Sequence, residues 1–155
     1  MIAEVVAIGT ELLMGQIVNT DAQYLSRRLQ SLGISIYYHT TVGDNPQRMK
    51  DALSLALSRS DVVITTGGLG PTQDDLSKEI VAQLLGLPMH FDEESWQAIG
   101  DYFARTGRVC PLNNKKQAMF AEGASILPND CGTAPGCIIE HGGKVVVQLL
   151  SLIHI

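Results

Sequence analysis

One run carries the densest chemical signal in the chain: Thr65-Thr66-Gly67-Gly68-Leu69-Gly70-Pro71-Thr72-Gln73-Asp74-Asp75. It follows the apolar Val62-Val63-Ile64 and precedes a helical pattern, so the order reads strand, glycine turn, helix start. Glycines let backbone approach a ligand closely, and a helix N-terminus offers unpaired N–H groups to an anion. Asp74 and Asp75 come just after the glycines, where carboxylates can hold a divalent metal or an activated water beside a phosphate. The run is not a P-loop, which closes on a Lys followed by Ser or Thr. Nor is it a dinucleotide fingerprint, because Gln73 stands where the third glycine belongs. A plain strand-to-helix turn is the structural alternative. Pro71, Thr72 and the two aspartates count against it.

The elements that must position this run can be read from periodicity. Apolar strand-like segments recur at Val5–Ile8, Ile34–Tyr38, Val62–Thr65 and Val145–Leu149. Leu25, Leu29 and Leu32 share one helical face, capped by Asn19, Thr20 or Asp21 and stopped by Gly33. Met49, Leu53, Ala56 and Leu57 form a second stripe, opened by Asp44-Asn45-Pro46. Leu76, Ile80 and Leu84 form a third, closed by Gly86 and Pro88. The segment from Asp92 to Arg108 reads as an exposed helix carrying Trp96, Ile99 and Phe103, and Asn113 to Phe120 as a further short helix. His141-Gly142-Gly143, between Cys137–Glu140 and Lys144–Val147, reads as a hairpin. Alternating strands and helices imply a parallel sheet covered on both faces.

Ligands of such sheets bind at the carboxyl ends of the strands. The loops expected there are Gly9-Thr10-Glu11, Val42-Gly43-Asp44, Gly67 to Asp75, and Gly132 to Gly136. A shared edge brings Asp44 and Asp75 towards one pocket, and paired carboxylates beside a phosphate site point to metal-assisted attack on phosphorus. Each residue has a plainer alternative. Asp44 and Glu11 can cap a turn, Asp74 can be a first-turn helix carboxylate, and Thr10 and Thr133 can be turn residues. Lys116, beside Lys115, can be solvated, and Trp96 and Phe103 can be packing residues. Replacing Gly68 by Val is expected to block a ligand phosphate without unfolding the domain.

Composition narrows the classes. With 155 residues of which 45% are hydrophobic, the chain suits one domain with a sizeable core. A net charge of −5 without any Lys/Arg run argues against a nucleic-acid groove but leaves room for a small anionic ligand. The cysteines, 3 in number, and the 4 histidines lack metal-ligand spacing, so free cytosolic thiols are expected and zinc is not. Met1 leads directly into a strand-like segment, and no apolar run reaches membrane-spanning length, so a cytoplasmic protein without membrane contact is expected.

Gly9-Thr10-Glu11-Leu12-Leu13-x-Gly15 with Asn19-Thr20-Asp21, Thr66-Gly67-Gly68-Leu69-Gly70-Pro71-Thr72-x-Asp74-Asp75, Asn114-x-Lys116-Gln117-Ala118 and Gly132-Thr133-Ala134-Pro135-Gly136 together resemble the amino-terminal domain of the CinA (competence/damage-inducible) family. That domain is similar to the molybdopterin-binding domain of MogA and MoeA. The resemblance covers residues 1–149. It implies a three-layer α/β fold, MogA-like, with a mostly parallel sheet. It also implies a nucleotide pyrophosphatase that splits ADP-ribose into AMP and ribose 5-phosphate with a divalent metal.

The resemblance aligns the family's catalytic Asp with Asp75 and a second acidic position with Asp44. Metal ligands are then expected from Asp44, Asp74 and Asp75. Ligand contacts are expected from Thr10, Glu11, Thr66, Gly67, Gly68, Leu69, Gly70, Pro71, Thr72, Lys116, Gly132, Thr133, Ala134, Pro135 and Gly136. A homo-oligomer, dimer or trimer, is expected. The alternatives are molybdopterin binding with adenylate chemistry, or a non-catalytic nucleotide-binding module. MogA-type loops carry Thr in a Gly-Gly-Thr-Gly version, so Leu69 and Glu11-Leu12-Leu13 favour the CinA branch.

The family follows its last strand with a Pro-Gly-Pro-Pro loop and an acidic residue, whereas here Leu149 runs into Leu150-Ser151-Leu152-Ile153-His154-Ile155. An atypical tail over 150–155 and no deamidase domain are the expectations.

Overall fold

The structure, a computed structural model, describes residues 1–151. The strands are β1 (Ile2–Ile8), β2 (Ser35–Val42), β3 (Val62–Thr66), β4 (Met89–Phe91), β5 (Met119–Ala121), β6 (Ser125–Leu127), β7 (Gly136–His141) and β8 (Lys144–Leu149). The α-helices are α1 (Thr10–Leu13), α2 (Thr20–Ser31), α3 (Pro46–Arg59), α4 (Ser77–Leu85) and α5 (Glu93–Arg105), with a 3₁₀ segment at Leu112–Ala118. The main sheet is six-stranded in the order β2-β1-β3-β8-β7-β6. β1, β2, β3 and β8 are parallel, while β7 and β6 each run antiparallel to their neighbour. A separate antiparallel ribbon joins β4 to β5.

Three layers follow from where the apolar stripes go. Met49, Leu53 and Ala56 of α3 and Ile80 and Val81 of α4 pack with Val6, Ile8, Val63 and Val146 on one sheet face. Ala22 and Leu29 of α2 pack with Ala3, Val5, Val62 and Ile64 on the other. β3 is buried at every residue, as a parallel strand covered on both faces must be. The late hairpin forms as expected, with His141 paired to Lys144.

Several expectations are corrected. β2 runs on to Val42, beyond the expected Tyr38, because an edge strand with a solvated face tolerates His39-Thr40-Thr41. Thr40 turns its hydroxyl inward to Glu4 at 2.7 Å. The expected helix from Asn113 to Phe120 is a 3₁₀ segment that gives way to β5. Phe120 and Ala121 are buried against α4 and the sheet rather than on a helical stripe. β4, β5 and β6, each of 3 residues, lie below the length at which alternation can be read.

A buried ion pair locks the amino half of the sheet. Glu4 of β1 is fully buried and accepts two hydrogen bonds from Arg59 at the end of α3, both at 2.8 Å. The Arg59 guanidinium also lies 3.6 Å from the Tyr38 ring centroid. Burial alone would raise the Glu4 carboxyl, but Arg59 and Thr40 outweigh it and hold the group below its ordinary 4.5.

Candidate functional site

The glycine loop is a compact bend, and its residues are explained by what they touch. Gly67 and Gly68 both have positive φ, 93° and 71°. A Cβ on Gly67 would strike the Ile8 carbonyl, and one on Gly68 would stand 3.0 Å from Ser77 Cβ. Gly67 N–H donates to Leu149 O at 3.0 Å, which ties the end of β3 to the end of β8. Ser77 Oγ donates to Gly68 O at 2.9 Å, which closes the loop onto the start of α4. Two expectations change as a result. Asp74 and Asp75 precede the helix, which begins only at Ser77, so neither is a first-turn helix carboxylate. Gly68 is required by the bend itself, so its replacement by Val strains the fold.

Asp75 folds back into its own loop. Its Oδ2 accepts from Thr72 N at 3.0 Å and from Thr72 Oγ1 at 2.5 Å. A Cβ on Gly70 would lie 2.5 Å from the same oxygen, so the spacing of Gly70, Thr72 and Asp75 is one packing unit. Asp75 Oδ1 accepts from no described residue.

A second segment clamps the loop from outside. Gln117 Nε2 donates to Leu69 O at 3.3 Å, and Lys116 Nζ donates to Thr72 O at 2.9 Å while standing 3.5 Å from Glu79. Asn114 Nδ2 in turn donates to Gln117 Oε1 at 2.9 Å. The Asn-x-Lys-Gln motif is thus a brace on two loop carbonyls. Beneath it lies Lys78, whose Nζ donates to Gln117 O at 2.8 Å and sits 4.2 Å from the Phe120 ring centroid. Burial pushes Lys78 down to about 8, and burial likewise pushes the Cys137 thiol up to about 11.

Gly68, Leu69, Gly70, Pro71, Thr72 and Asp75 form one wall of a cleft of about 450 Å³, and Gly132, Thr133 and Ala134 form another. These loops meet because β7 is antiparallel, so its amino end lies at the carboxyl edge of β3 and β8. Other expected contacts stand elsewhere. Pro135 lines a neighbouring cavity of about 340 Å³. Thr66 and Gly136 line an apolar one of about 260 Å³, with the Thr66 hydroxyl buried and unpartnered among the described residues.

Asp44 is braced against Thr10. Its Oδ2 accepts from Thr10 Oγ1 at 3.0 Å and Thr10 N at 3.2 Å, and Thr10 Oγ1 accepts from Asp44 N at 3.2 Å. Asn45, not Asp44, caps α3, accepting from Arg48 N at 3.0 Å. Glu11 rests its carboxylate against Gly9. Neither Thr10, Glu11 nor Asp44 lines the cleft, and Asp74 is exposed beside it. The expected metal triad of Asp44, Asp74 and Asp75 is therefore not drawn together. Among the described residues, no group of three or more His, Cys, Asp or Glu side chains is placed to hold a metal ion.

The cleft also holds residues the sequence reading did not assign: Tyr102, Phe103, Arg108, Gln117, Cys131 and Leu150. Gln117 belongs to the Asn114-x-Lys116-Gln117-Ala118 motif, and Arg108 follows the Thr106-Gly107 helix stop, so those two carried a signal. Of the tail, Leu150 lines the cleft and Ser151 Oγ donates to Asp21 Oδ2 at 2.9 Å. The expectations for Leu152, Ile153, His154 and Ile155 lie outside the described residues. No helix among the described residues is long and apolar enough to cross a membrane.

Comparison with known proteins gives the family and the fold. The family model described as "Probable molybdopterin binding domain" matches residues 4–151. A CinA-like protein of Dictyoglomus turgidum is 56% identical over 149 residues, which is 96% of this chain and 36% of that protein. The chain thus spans about a third of the length of the curated relatives it matches. The crystal structure of a CinA protein of unknown function from Thermoplasma acidophilum superposes with a TM-score of 0.88 at 32% identity, covering 97% of this chain and 88% of that one. A MogA structure shares the fold with a TM-score of 0.61 at 18% identity, covering 97% and 84%. The chain belongs to the probable molybdopterin binding domain family, in its CinA-like branch.

Proposed function

We propose that the chain is a metal-dependent nucleotide pyrophosphatase that hydrolyses ADP-ribose with water to AMP and ribose 5-phosphate. The observation that carries this reading is the setting of Asp75. Its carboxylate is fixed by Thr72 through Oδ2, and Oδ1 is left without a described partner in a cleft walled by glycine backbone. A fixed carboxylate with an unsatisfied oxygen suits the binding of a metal ion or the orientation of a water. A magnesium-type ion fits that donor set, because such ions take one or two carboxylates and fill their remaining positions with water and substrate phosphate oxygens. Asp75 would hold it, and it would neutralise charge on the phosphoryl oxygens. The backbone of the loop from Gly68 to Thr72 approaches the phosphates, and Gln117 and Lys116 keep that backbone in place by gripping Leu69 O and Thr72 O. Asp44 braces α1 through Thr10 and supports the neighbouring loop. The 3 cysteines, all free, fit a cytoplasmic setting.

A second reading is molybdopterin binding. It is favoured by the description of the matching family model and by the MogA-like fold. Incubation with a panel of nucleotides, with and without magnesium or manganese, followed by mass identification of products, separates the two. AMP and ribose 5-phosphate from ADP-ribose, dependent on metal, is the expected result. Binding of a pterin without any nucleotide cleavage would replace this reading by the second.

A further inference from the structure

The cleft contains a cation that the loop geometry leaves without a task. α5 ends at Arg105, and the chain then closes in a paired stop: Gly107 N–H donates to Ala104 O at 3.2 Å and Arg108 N–H to Phe103 O at 2.9 Å. Gly107 has a φ of 68°, the left-handed conformation that this stop requires. The residue after the glycine in such a stop is ordinarily apolar and packs back on the helix. Here it is Arg108, whose backbone is anchored by that stop and which lines the same cleft as the glycine loop.

Arg108 is exposed, and its side chain makes no ion pair or hydrogen bond with any described residue. Asp75 lines the same cleft without pairing to it. The chain carries a net charge of −5, so an anionic ligand is repelled unless the site reverses the field locally. Among the described residues lining the cleft, Arg108 is the one that supplies positive charge. Arg105 lines the neighbouring cavity instead and lies 6.0 Å from the Tyr102 ring centroid.

We propose that Arg108 is the specificity-determining residue of the cleft: held by its backbone at the end of α5 in the cleft that the glycine loop also lines, it binds the pyrophosphate of the ligand through its guanidinium. The assignment rests on the pyrophosphatase reading for its substrate but not for its test. A planar fork of N–H donors matches two phosphate oxygens at once, which a lysine point charge does not. Tyr102 and Phe103, edge to face at 6.2 Å, form the apolar wall beside it, so the charge selectivity falls to Arg108.

The test is calorimetric titration of the whole chain with inorganic pyrophosphate and, separately, with adenosine, at fixed ionic strength. Arg108→Met is expected to weaken pyrophosphate binding roughly tenfold or more, to leave adenosine binding unchanged and to leave the circular dichroism spectrum intact. Arg108→Lys should recover part of the loss. Arg105→Met, a charge removed from the same helix end, should bind pyrophosphate as the parent does. The assignment is overturned if the parent does not bind pyrophosphate, if Arg108→Met binds it equally well, or if Arg105→Met loses as much. The two readings fail separately. A parent that binds pyrophosphate through Arg108 but does not cleave ADP-ribose sinks the hydrolase alone. Cleavage with an unchanged KM in Arg108→Met sinks the Arg108 assignment alone.

Discussion

At the scale of single residues, Asp75 and Gly70 form one device. Asp75→Asn keeps the size and the Thr72 contacts but removes the charge, so AMP release from ADP-ribose should fall by about a hundredfold or more. A rate within a few-fold of the parent would reduce Asp75 to a loop tie. Gly70→Ala places a methyl where Oδ2 of Asp75 now lies, 2.5 Å away, so the carboxylate must move. Turnover should drop with little change in the urea midpoint, since the loop is at the surface. Full turnover in the Gly70→Ala variant would mean that the position of this carboxylate is immaterial. Both residues were legible in the sequence because they stand in a glycine run that follows an apolar strand, where close backbone approach beside a carboxylate points to phosphate handling. The bond from Thr72 was not, since it depends on the loop turning back on itself.

At the scale of elements, two buried titratable groups decide how the layers respond to alkaline pH. Lys78 has a folded value of about 8 against an ordinary 10.5. Between those values the unfolded chain binds the proton and the native one does not, so stability should rise with pH across that window, by at most about 1.4 kcal/mol per unit. Cys137 acts oppositely. Its thiol stays protonated up to about 11 in the native state but ionises near 9.0 when unfolded, which lowers stability between those values. Urea denaturation from about pH 7.5 to 10.5 should therefore show a rise that flattens above about 9. Lys78→Met should abolish the rise, and a rise that persists would exclude Lys78 as its source.

In acid the relevant group is Glu4, which is held below 4.5 in the native state. Its stabilising contribution is present above 4.5 and is lost as pH falls through the lower native value. Arg59→Met leaves that carboxylate buried without its ionic partner. The melting temperature should drop by several degrees at about pH 7, with a smaller drop in acid, where the Glu4 carboxyl of the variant, without its ionic partner, takes up a proton. An equal drop at both pH values would assign the effect of Arg59 to packing on Tyr38.

For the whole molecule, filling the cleft should stabilise the native state. A nucleotide at about a hundred times its Kd adds about 2.7 kcal/mol, which for a domain of this size is roughly 5–10 °C in Tm. ADP-ribose with magnesium should raise the Tm by that amount, and adenosine alone should raise it less. An unchanged Tm at saturating nucleotide would mean that the cleft is not a nucleotide site.

The α/β architecture, the hairpin and the glycine loop with its acids are legible in the order of residues alone. Those features rest on local rules: helical stripes such as Met49, Leu53 and Ala56, a fully apolar start to β3, and glycines where the backbone must bend. Tertiary structure decided which acids share a site. Asp44 and Asp75 look equivalent in the chain, yet one is taken up by Thr10 and the other lines the cleft. It also brought in Arg108 from the end of α5 and Gln117 from the 3₁₀ segment, residues that are distant in the chain from the glycine loop. The physical reason is that hydrophobic periodicity reports which face of an element is buried, whereas the meeting of polar side chains depends on register, on the antiparallel turn of β7 and on hydrogen bonds that form only once the layers have packed.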